Sequence, residues 1–333
     1  MLLLWSLFFV VCFGLGYPTL QRYDPRQAGG MSDTWKYYAI TTGADTSGFK
    51  EMFRCRVLVP LIARPFYWFA AKFLPNWNAG FFGLLVANAL FCATTACLIV
   101  VIGNSLFANL STALLAAALY LLSFNVANLQ LAGLIDSGEA CLLALVVWSL
   151  LARKWYLLPL WAVVGALAKE TFVPFSVLLA FTWWLVERRE NKASGFELLW
   201  VAALAVIGLT TVSAVHSIVV GQLKWPWQIA GQAQSPVNFF VALWHCLSER
   251  SFWYVFVWLL PLGICRLKHF PRPWVIASAV TAAFAIVLGA YSNAGGTVSR
   301  ATFDIIGPLL SLSVALLISQ FTPDKRAGAS PPA

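Results

Sequence analysis

The segment 21–72 concentrates charge in an otherwise strongly apolar chain, because it carries four acidic and eight basic residues. Within it, Asp33 precedes Tyr37 by four residues, and on a helix this spacing places the two side chains on one face. A carboxylate in that position can act as general base toward a hydroxyl nucleophile. The alternative is structural, with Ser32 or Asp33 capping the start of a helix.

The basic residues of this segment include Arg54, Arg56 and Arg64, which lie on the apolar stretch FRCRVLVPLIARPF. The planar guanidinium group matches phosphate oxygens, although arginine also places its charged head among lipid headgroups while its stem stays in apolar surroundings. Pro60 and Pro65 interrupt the stretch. We therefore predict short helices over 49–74 that are broken at the prolines and lie at the membrane interface.

Two further sites place ionisable side chains at the ends of apolar segments. LIDSGEA carries Asp136 and Glu139 three residues apart where a span begins, a position at which the helix dipole alone would also favour acids. GALAKETF carries Lys169 and Glu170 with almost no loop between two spans. Ionisable groups at such depth are costly and are usually paired or functional.

The segment NAGGTVSRATFD places Arg300 and Asp304 four residues apart at the entry to the last apolar span. Charges at this spacing can simply pair with each other, which is the alternative to a functional role. His216 and His245 are isolated and lack the spacing of a metal-binding pair, so we interpret them as structural.

The composition is that of a membrane protein, since 60% of the 333 residues are hydrophobic and only 11% are charged, whereas soluble domains carry about 25% charge. Unbroken apolar runs near 20 residues predict transmembrane helices and argue against a β-barrel. We therefore predict an all-α polytopic membrane protein with about ten transmembrane helices. The expected spans are 1–20, 79–102, 110–126, 138–152, 155–169, 171–186, 198–220, 251–265, 274–292 and 302–321.

The distribution of basic residues predicts the orientation of these spans. With residue 1 in the cytoplasm, the cytoplasmic connections carry ten basic residues, and the outer connections after the first loop carry four. The acidic and basic groups near the span ends then fall on the non-cytoplasmic face together with the first loop. We expect one transmembrane domain over 1–322, a first outer loop at 21–78 and a disordered cytoplasmic tail at 323–333. The net charge of +9 is ordinary for such a protein and does not indicate a nucleic-acid partner.

Taken in order, these features resemble the GT-C superfamily of membrane glycosyltransferases. The resemblance rests on Asp33 with Tyr37 in the first outer loop, the CRVLVPL stretch, the LIDSGEA acids, the AKET turn, and Arg300 before an apolar span that contains Pro308. It covers most of the chain through the order of its features. It implies transfer of a sugar from a polyprenyl-phosphate donor to a lipid or glycan acceptor on the non-cytoplasmic face.

The resemblance also implies roles for individual residues. Asp33 would be the catalytic base, with Asp24 as the alternative acid, and cations would bind the donor phosphate. The expected phosphate-binding residues are Arg300, Lys169 and Arg56, and the expected supporting residues are Tyr37, Asp136, Glu139, Glu170 and Asp24. An inverting single displacement needs one carboxylate and no cofactor, although Asp136 and Glu139 could bind a divalent metal. The expected location is the bacterial inner membrane, with the site facing the periplasm.

Three other functions use similar features. A transporter or flippase of a lipid-linked sugar would need the same basic groove but no catalytic base. Such proteins often contain internal repeats and helices broken at the membrane midplane, whereas this chain has no visible repeat and places its charges near one membrane face. A polymerase or ligase of surface glycans would share the donor chemistry, and a structural subunit would not need the dense charge.

Overall fold

The computed structural model describes residues 1–22, 33–231, 237–292 and 295–321, and these ranges are helical with no β-strand. The predicted disordered tail lies outside the described residues. The α-helices of these ranges are α1 Leu2–Arg22, α2 Thr34–Thr42, α3 Glu51–Cys55, α4 Leu58–Phe73, α5 Ala79–Phe107, α6 Leu110–Leu121, α7 Asp136–Leu151, α8 Leu158–Ala168, α9 Phe172–Arg189, α10 Gly195–Val220, α11 Pro226–Gly231, α12 Phe239–Ser248, α13 Arg250–Phe256, α14 Leu259–Ile264, α15 Arg272–Tyr291 and α16 Gly295–Ser319. A π-helix at Val126–Gln130 and short 3-10 helices at Trp155–Leu157 and Leu267–His269 lie between them.

Four of the described helices, α5, α10, α15 and α16, are long and apolar enough to cross a membrane. This supports a membrane protein with several spanning helices. Several of the other predicted spans correspond to shorter or interrupted helices. For example, α8 has 11 residues and is about 16 Å long at the usual rise, so it cannot cross a hydrocarbon core of about 30 Å alone.

The prediction of a single helix over 251–265 is wrong, because the chain forms α13 and α14 with a break at Val257 and Trp258. Pro261 explains the break. A proline ring clashes with the carbonyl four residues earlier, here that of Val257, but proline is tolerated in the first turn of a helix. The helix therefore stops and restarts so that Pro261 falls in the first turn of α14.

The prediction that prolines break the stretch 49–74 is also wrong. The break lies at Arg56 and Val57, and α4 then runs through both Pro60 and Pro65. Pro60 falls in the first turn of α4, where no intrahelical donor is needed. The short helices that were expected are present, with α3 of five residues and α4 of 16 residues.

Helix α4 packs closely against α5, and a glycine makes this approach possible. A Cβ atom at Gly83 of α5 would lie 2.6 Å from the carbonyl oxygen of Ala63, which is closer than real Cβ contacts. Val59, Ala63 and Ala70 of α4 are buried, while Trp68 on the opposite face is 64% exposed. One face of α4 is therefore fixed to the helix bundle, and its aromatic face points outward.

Several helix ends meet at one end of the bundle. Side chains from the start of α7, the α8–α9 turn and the first turns of α16 are in direct contact there. At the other end of α7 and α9, Arg153 Nη1 donates to Glu187 Oε2 at 2.5 Å. The first loop lies at the former end, because the Val57 N–H donates to the carbonyl of Leu167 near the end of α8, at 3.0 Å.

Candidate functional site

The site is centred on the turn between α8 and α9. Helix α8 ends at Ala168 because Lys169 adopts an extended backbone, with φ −166° and ψ 138°. The side chains of Lys169 and Glu170 consequently diverge and reach different partners. Lys169 contacts acids of α7, and Glu170 contacts Arg56 at the α3–α4 junction. Two adjacent residues thus connect an inner and an outer group of charges.

The inner group surrounds the Lys169 ammonium. Its Nζ donates to Asp136 Oδ1 at 2.8 Å and to Glu139 Oε2 at 2.6 Å. Arg300 Nη1 donates to Asp136 Oδ2 at 2.8 Å, and Thr171 Oγ1 donates to Glu139 Oε1 at 2.6 Å. Asp136, Glu139 and Lys169 are buried, whereas the Arg300 side chain is 12% exposed. Arg300 therefore forms the accessible edge of this group.

The outer group is a two-point ion pair between Arg56 and Glu170. Arg56 Nε donates to Glu170 Oε2 at 2.9 Å, Nη2 donates to Oε1, and Nη1 donates to the hydroxyl oxygen of Tyr37 at 3.2 Å. Burial acts to raise the pKa of Glu170, but the charge and hydrogen bonds of Arg56 outweigh it and hold that pKa below its ordinary value. Burial raises the pKa of Tyr37, although Arg56 opposes the shift. Tyr37 is therefore a neutral phenol beside Arg56 at neutral pH.

Asp33 lies at the start of α2 but does not cap it, since its side chain makes no capping hydrogen bond. Its Oδ1 instead accepts from Lys36 Nζ at 2.7 Å, and the Asp33 side chain is 27% exposed. The Lys36 ammonium lies 3.6 Å from the centre of the Phe53 ring, and the Arg56 guanidinium carbon lies 5.5 Å from the same centre. The Asp33 side chain is thus linked to the outer group through Lys36 and Phe53, and the Asp33 carbonyl accepts directly from the Tyr37 N–H at 3.4 Å.

Asp304 does not pair with Arg300, although the two lie four residues apart on α16. Its Oδ1 accepts from Gln130 Nε2 at 2.8 Å and from Asn125 Nδ2 at 3.5 Å. Oxygens of Asp136, Glu139 and Asp304 nevertheless lie within 4.8 Å of one another. The alternative of a local pair between Arg300 and Asp304 is therefore wrong, because Arg300 bonds the acid on α7.

Protein donors already occupy the two acids that were expected to bind a divalent metal. All four carboxylate oxygens of Asp136 and Glu139 accept hydrogen bonds from Lys169, Arg300 or Thr171. A metal ion at these oxygens would compete with protein donors, two of which, Lys169 and Arg300, are cations.

The structure brings most of the predicted site residues together and adds partners that the sequence did not indicate. Asp24 lies outside the described residues. The added partners are Lys36, Phe53, Asn125, Gln130 and Thr171. Asn125 and Gln130 could have been identified from the sequence, because amide side chains within an apolar segment of a membrane protein need hydrogen-bond partners. The other three were recognisable only from the fold.

His216, interpreted as structural from its isolation in the sequence, has a specific partner. Its Nδ1 lies 2.7 Å from Glu51 Oε1, and Arg54 Nη2 donates to the carbonyl of Val219 at 3.0 Å. These bonds fasten α3 of the first loop to the end of α10. No protein-family model matches the chain, and the search of curated proteins found no match.

Proposed function

We propose that the chain is a membrane glycosyltransferase that moves a sugar from a polyprenyl-phosphate donor to a lipid or glycan acceptor. The proposal includes about ten transmembrane segments in one domain and a site on the non-cytoplasmic face of a bacterial inner membrane. The GT-C-like order of the sequence motifs suggests this function, and the arrangement of charges at one end of the bundle supports it.

The observation that carries the proposal is the convergence of Asp33, Arg56, Lys169 and Arg300, which come from three distant parts of the sequence. They lie in one connected set of charged and aromatic contacts at a single end of the bundle. Bringing that many ionisable groups together in an apolar protein is costly unless they are used. An enzyme acting on a lipid phosphate needs such a set of charges at the membrane surface.

The hydrogen bonds rank the three expected phosphate-binding residues. Arg56 uses three donors on Glu170 and Tyr37, and Lys169 uses two of its three donors on buried acids. Among the described residues, Arg300 makes only the Nη1 bond to Asp136, and it is partly exposed. A guanidinium has five N–H donors, so Arg300 retains the most capacity for phosphate. Lys169 instead holds the inner acids and positions Arg300 through their shared partner Asp136.

The proposed reaction is a single displacement at the anomeric carbon. The acceptor oxygen forms a bond to that carbon while the bond to the phosphate oxygen breaks, and Asp33 takes the hydroxyl proton. Among the described residues, Lys36 bonds Oδ1 of Asp33, and Oδ2 is the oxygen that would accept that proton. The departing polyprenyl phosphate gains negative charge, which fixed guanidinium groups stabilise in place. One carboxylate suffices for inversion, whereas retention would need a second as nucleophile.

Substitution of the proposed base tests this function. Asp33→Asn should lower sugar transfer by about 10²–10⁴-fold, the usual value of general-base catalysis, while donor binding and folding persist. Arg300→Ala should weaken donor binding as well as turnover, because it meets the phosphate before and during the reaction. Asp24→Asn is the matched control. If Asp24→Asn abolishes transfer and Asp33→Asn does not, the base is misassigned. If neither variant slows a measured transfer, the base mechanism is wrong.

A further inference from the structure

Asp304 lies close to the charged groups of the site but forms no ion pair with a cation among the residues that the structure describes. It is 1% exposed on α16, within a helix long enough to span the membrane. Lys169 and Arg300 both donate to Asp136, and Lys169 also donates to Glu139. The donors to Asp304 are two neutral amides, Gln130 and Asn125.

Two buried acceptor oxygens at this position have no donor. Among the described residues, Asp304 Oδ2 and Asn125 Oδ1 are both buried and unpartnered. The groups that carry them are already joined, since Asn125 Nδ2 donates to Asp304 Oδ1 at 3.5 Å. An unpaired buried acceptor is costly. A single proton on Asp304 Oδ2 would supply the missing donor to Asn125 Oδ1 and close a cyclic pair between an acid and an amide.

The number of charges in the site also favours one bound proton. Four carboxylates, those of Asp136, Glu139, Glu170 and Asp304, face three cations, those of Arg56, Lys169 and Arg300. One added proton makes this set neutral, and an uncompensated buried charge is costly.

We propose that Asp304 is a proton-binding site, held as a neutral carboxylic acid that donates to Asn125. The described titratable groups around it are Asp136 and Glu139 from α7, Lys169 from the α8–α9 turn, Tyr120 from α6 and Cys92 from α5. Tyr120 and Cys92 both reach Gln130 Oε1, at 3.4 Å and 3.5 Å, so they reinforce the amide that bonds the acid. The inference does not depend on the proposed enzyme activity.

The bound proton also explains why Arg300 pairs with Asp136 and not with Asp304. An ionised Asp304, four residues along the same helix, would compete with Asp136 for the guanidinium. A neutral Asp304 does not compete, and Arg300 therefore stays with Asp136 at the accessible edge of the site. Loss of the proton would draw Arg300 inward, away from that edge. Asp304 thereby acts as a positioning residue for Arg300.

Infrared spectroscopy of the purified full-length protein tests the proposal directly. At neutral pH the wild type should show the carbonyl stretching band of a protonated carboxylic acid, and Asp304→Asn should remove it while the protein remains folded. Asp45→Asn is the control, because Asp45 lies at the exposed surface and bonds Ser47. That control should retain the band. If the wild-type minus Asp304→Asn difference contains carboxylate bands and no acid band, Asp304 is ionised and the proposal is wrong.

A second variant covers the case in which Asp304→Asn fails to fold. Asn125→Leu keeps the acid but removes its partner, so the acid band should persist and move to higher frequency. An unmoved band would overturn the pairing with Asn125. A sodium ion could also neutralise the site, and then the protein would be stabilised by sodium relative to choline and would show no acid band. That result would contradict proton binding.

Discussion

Replacement of Arg56 by methionine tests the outer group of charges. The change removes the guanidinium but keeps an apolar stem of similar length, so Glu170 is left with its negative charge and no Arg56 donors. Breaking one partner of a buried ion pair costs about 3–5 kcal/mol. The Glu170 side chain is 20% exposed, so water can partly replace the lost donors, and we expect a value near the lower limit of about 3 kcal/mol.

The free energy of unfolding, measured by denaturant titration in detergent micelles, provides the readout. The double variant Arg56→Met with Glu170→Gln should recover most of the loss, since it leaves no unpaired charge. Arg54→Met, two residues earlier on α3, is the matched control. It removes one hydrogen bond, from Nη2 to the carbonyl of Val219, and should cost at most about 2 kcal/mol. An Arg56→Met cost no larger than that of Arg54→Met, or a double variant as unstable as the single one, would refute the ion-pair reasoning.

Two further predictions concern the same region. The stabilising contribution of Glu170, measured as the difference in Tm between wild type and Glu170→Gln, should be full above about pH 5 and shrink as the pH falls below about 4.3, the ordinary pKa of glutamate. The sign follows because Arg56 holds the Glu170 pKa below that value. A Tm difference that is unchanged at about pH 2 would contradict this prediction. Gly83→Val should destabilise the protein by about 1–3 kcal/mol through overpacking, because its Cβ would lie 2.6 Å from the Ala63 carbonyl oxygen. In the control Gly48→Val the new Cβ meets no atom within 4 Å, so the denaturation midpoint should stay nearly unchanged. Equal effects of the two variants would argue against the close crossing of α4 and α5.

The predicted apolar segments correspond well to several helices because hydrophobic length is a local property. The expected 79–102 and 198–220 lie within α5 and α10. The errors arose where one residue changed the backbone. Pro261 divides a predicted span, whereas α4 continues through Pro60 in its first turn and through Pro65 in its interior. The effect of a proline depends on its position relative to the first residue of the helix. The apolar pattern does not define that first residue.

The sequence predicted which residues belong to the candidate site better than it predicted which of them form ion pairs with each other. Arg300, Lys169 and Arg56 were expected on one side of the membrane, and they lie in the inner and outer groups that the adjacent residues Lys169 and Glu170 connect. The sequence suggested that Arg300 could pair with Asp304, its neighbour by helical spacing, but the acid it contacts is 164 residues away. Such a choice depends on how α7 and α16 pack, and on which acid already has another partner. Local spacing contains neither piece of information.

The most direct test of the proposed function is the fate of the sugar–phosphate bond. The purified protein, reconstituted in liposomes, would be given a polyprenyl-phosphate sugar labelled in the sugar, and the free polyprenyl phosphate would be measured with and without candidate acceptors. A glycosyltransferase should release polyprenyl phosphate in step with transfer of the label, and Asp33→Asn should lower that release by about 10²–10⁴-fold. Movement of the intact labelled lipid between leaflets, with no bond broken, would contradict the enzyme and identify a transporter.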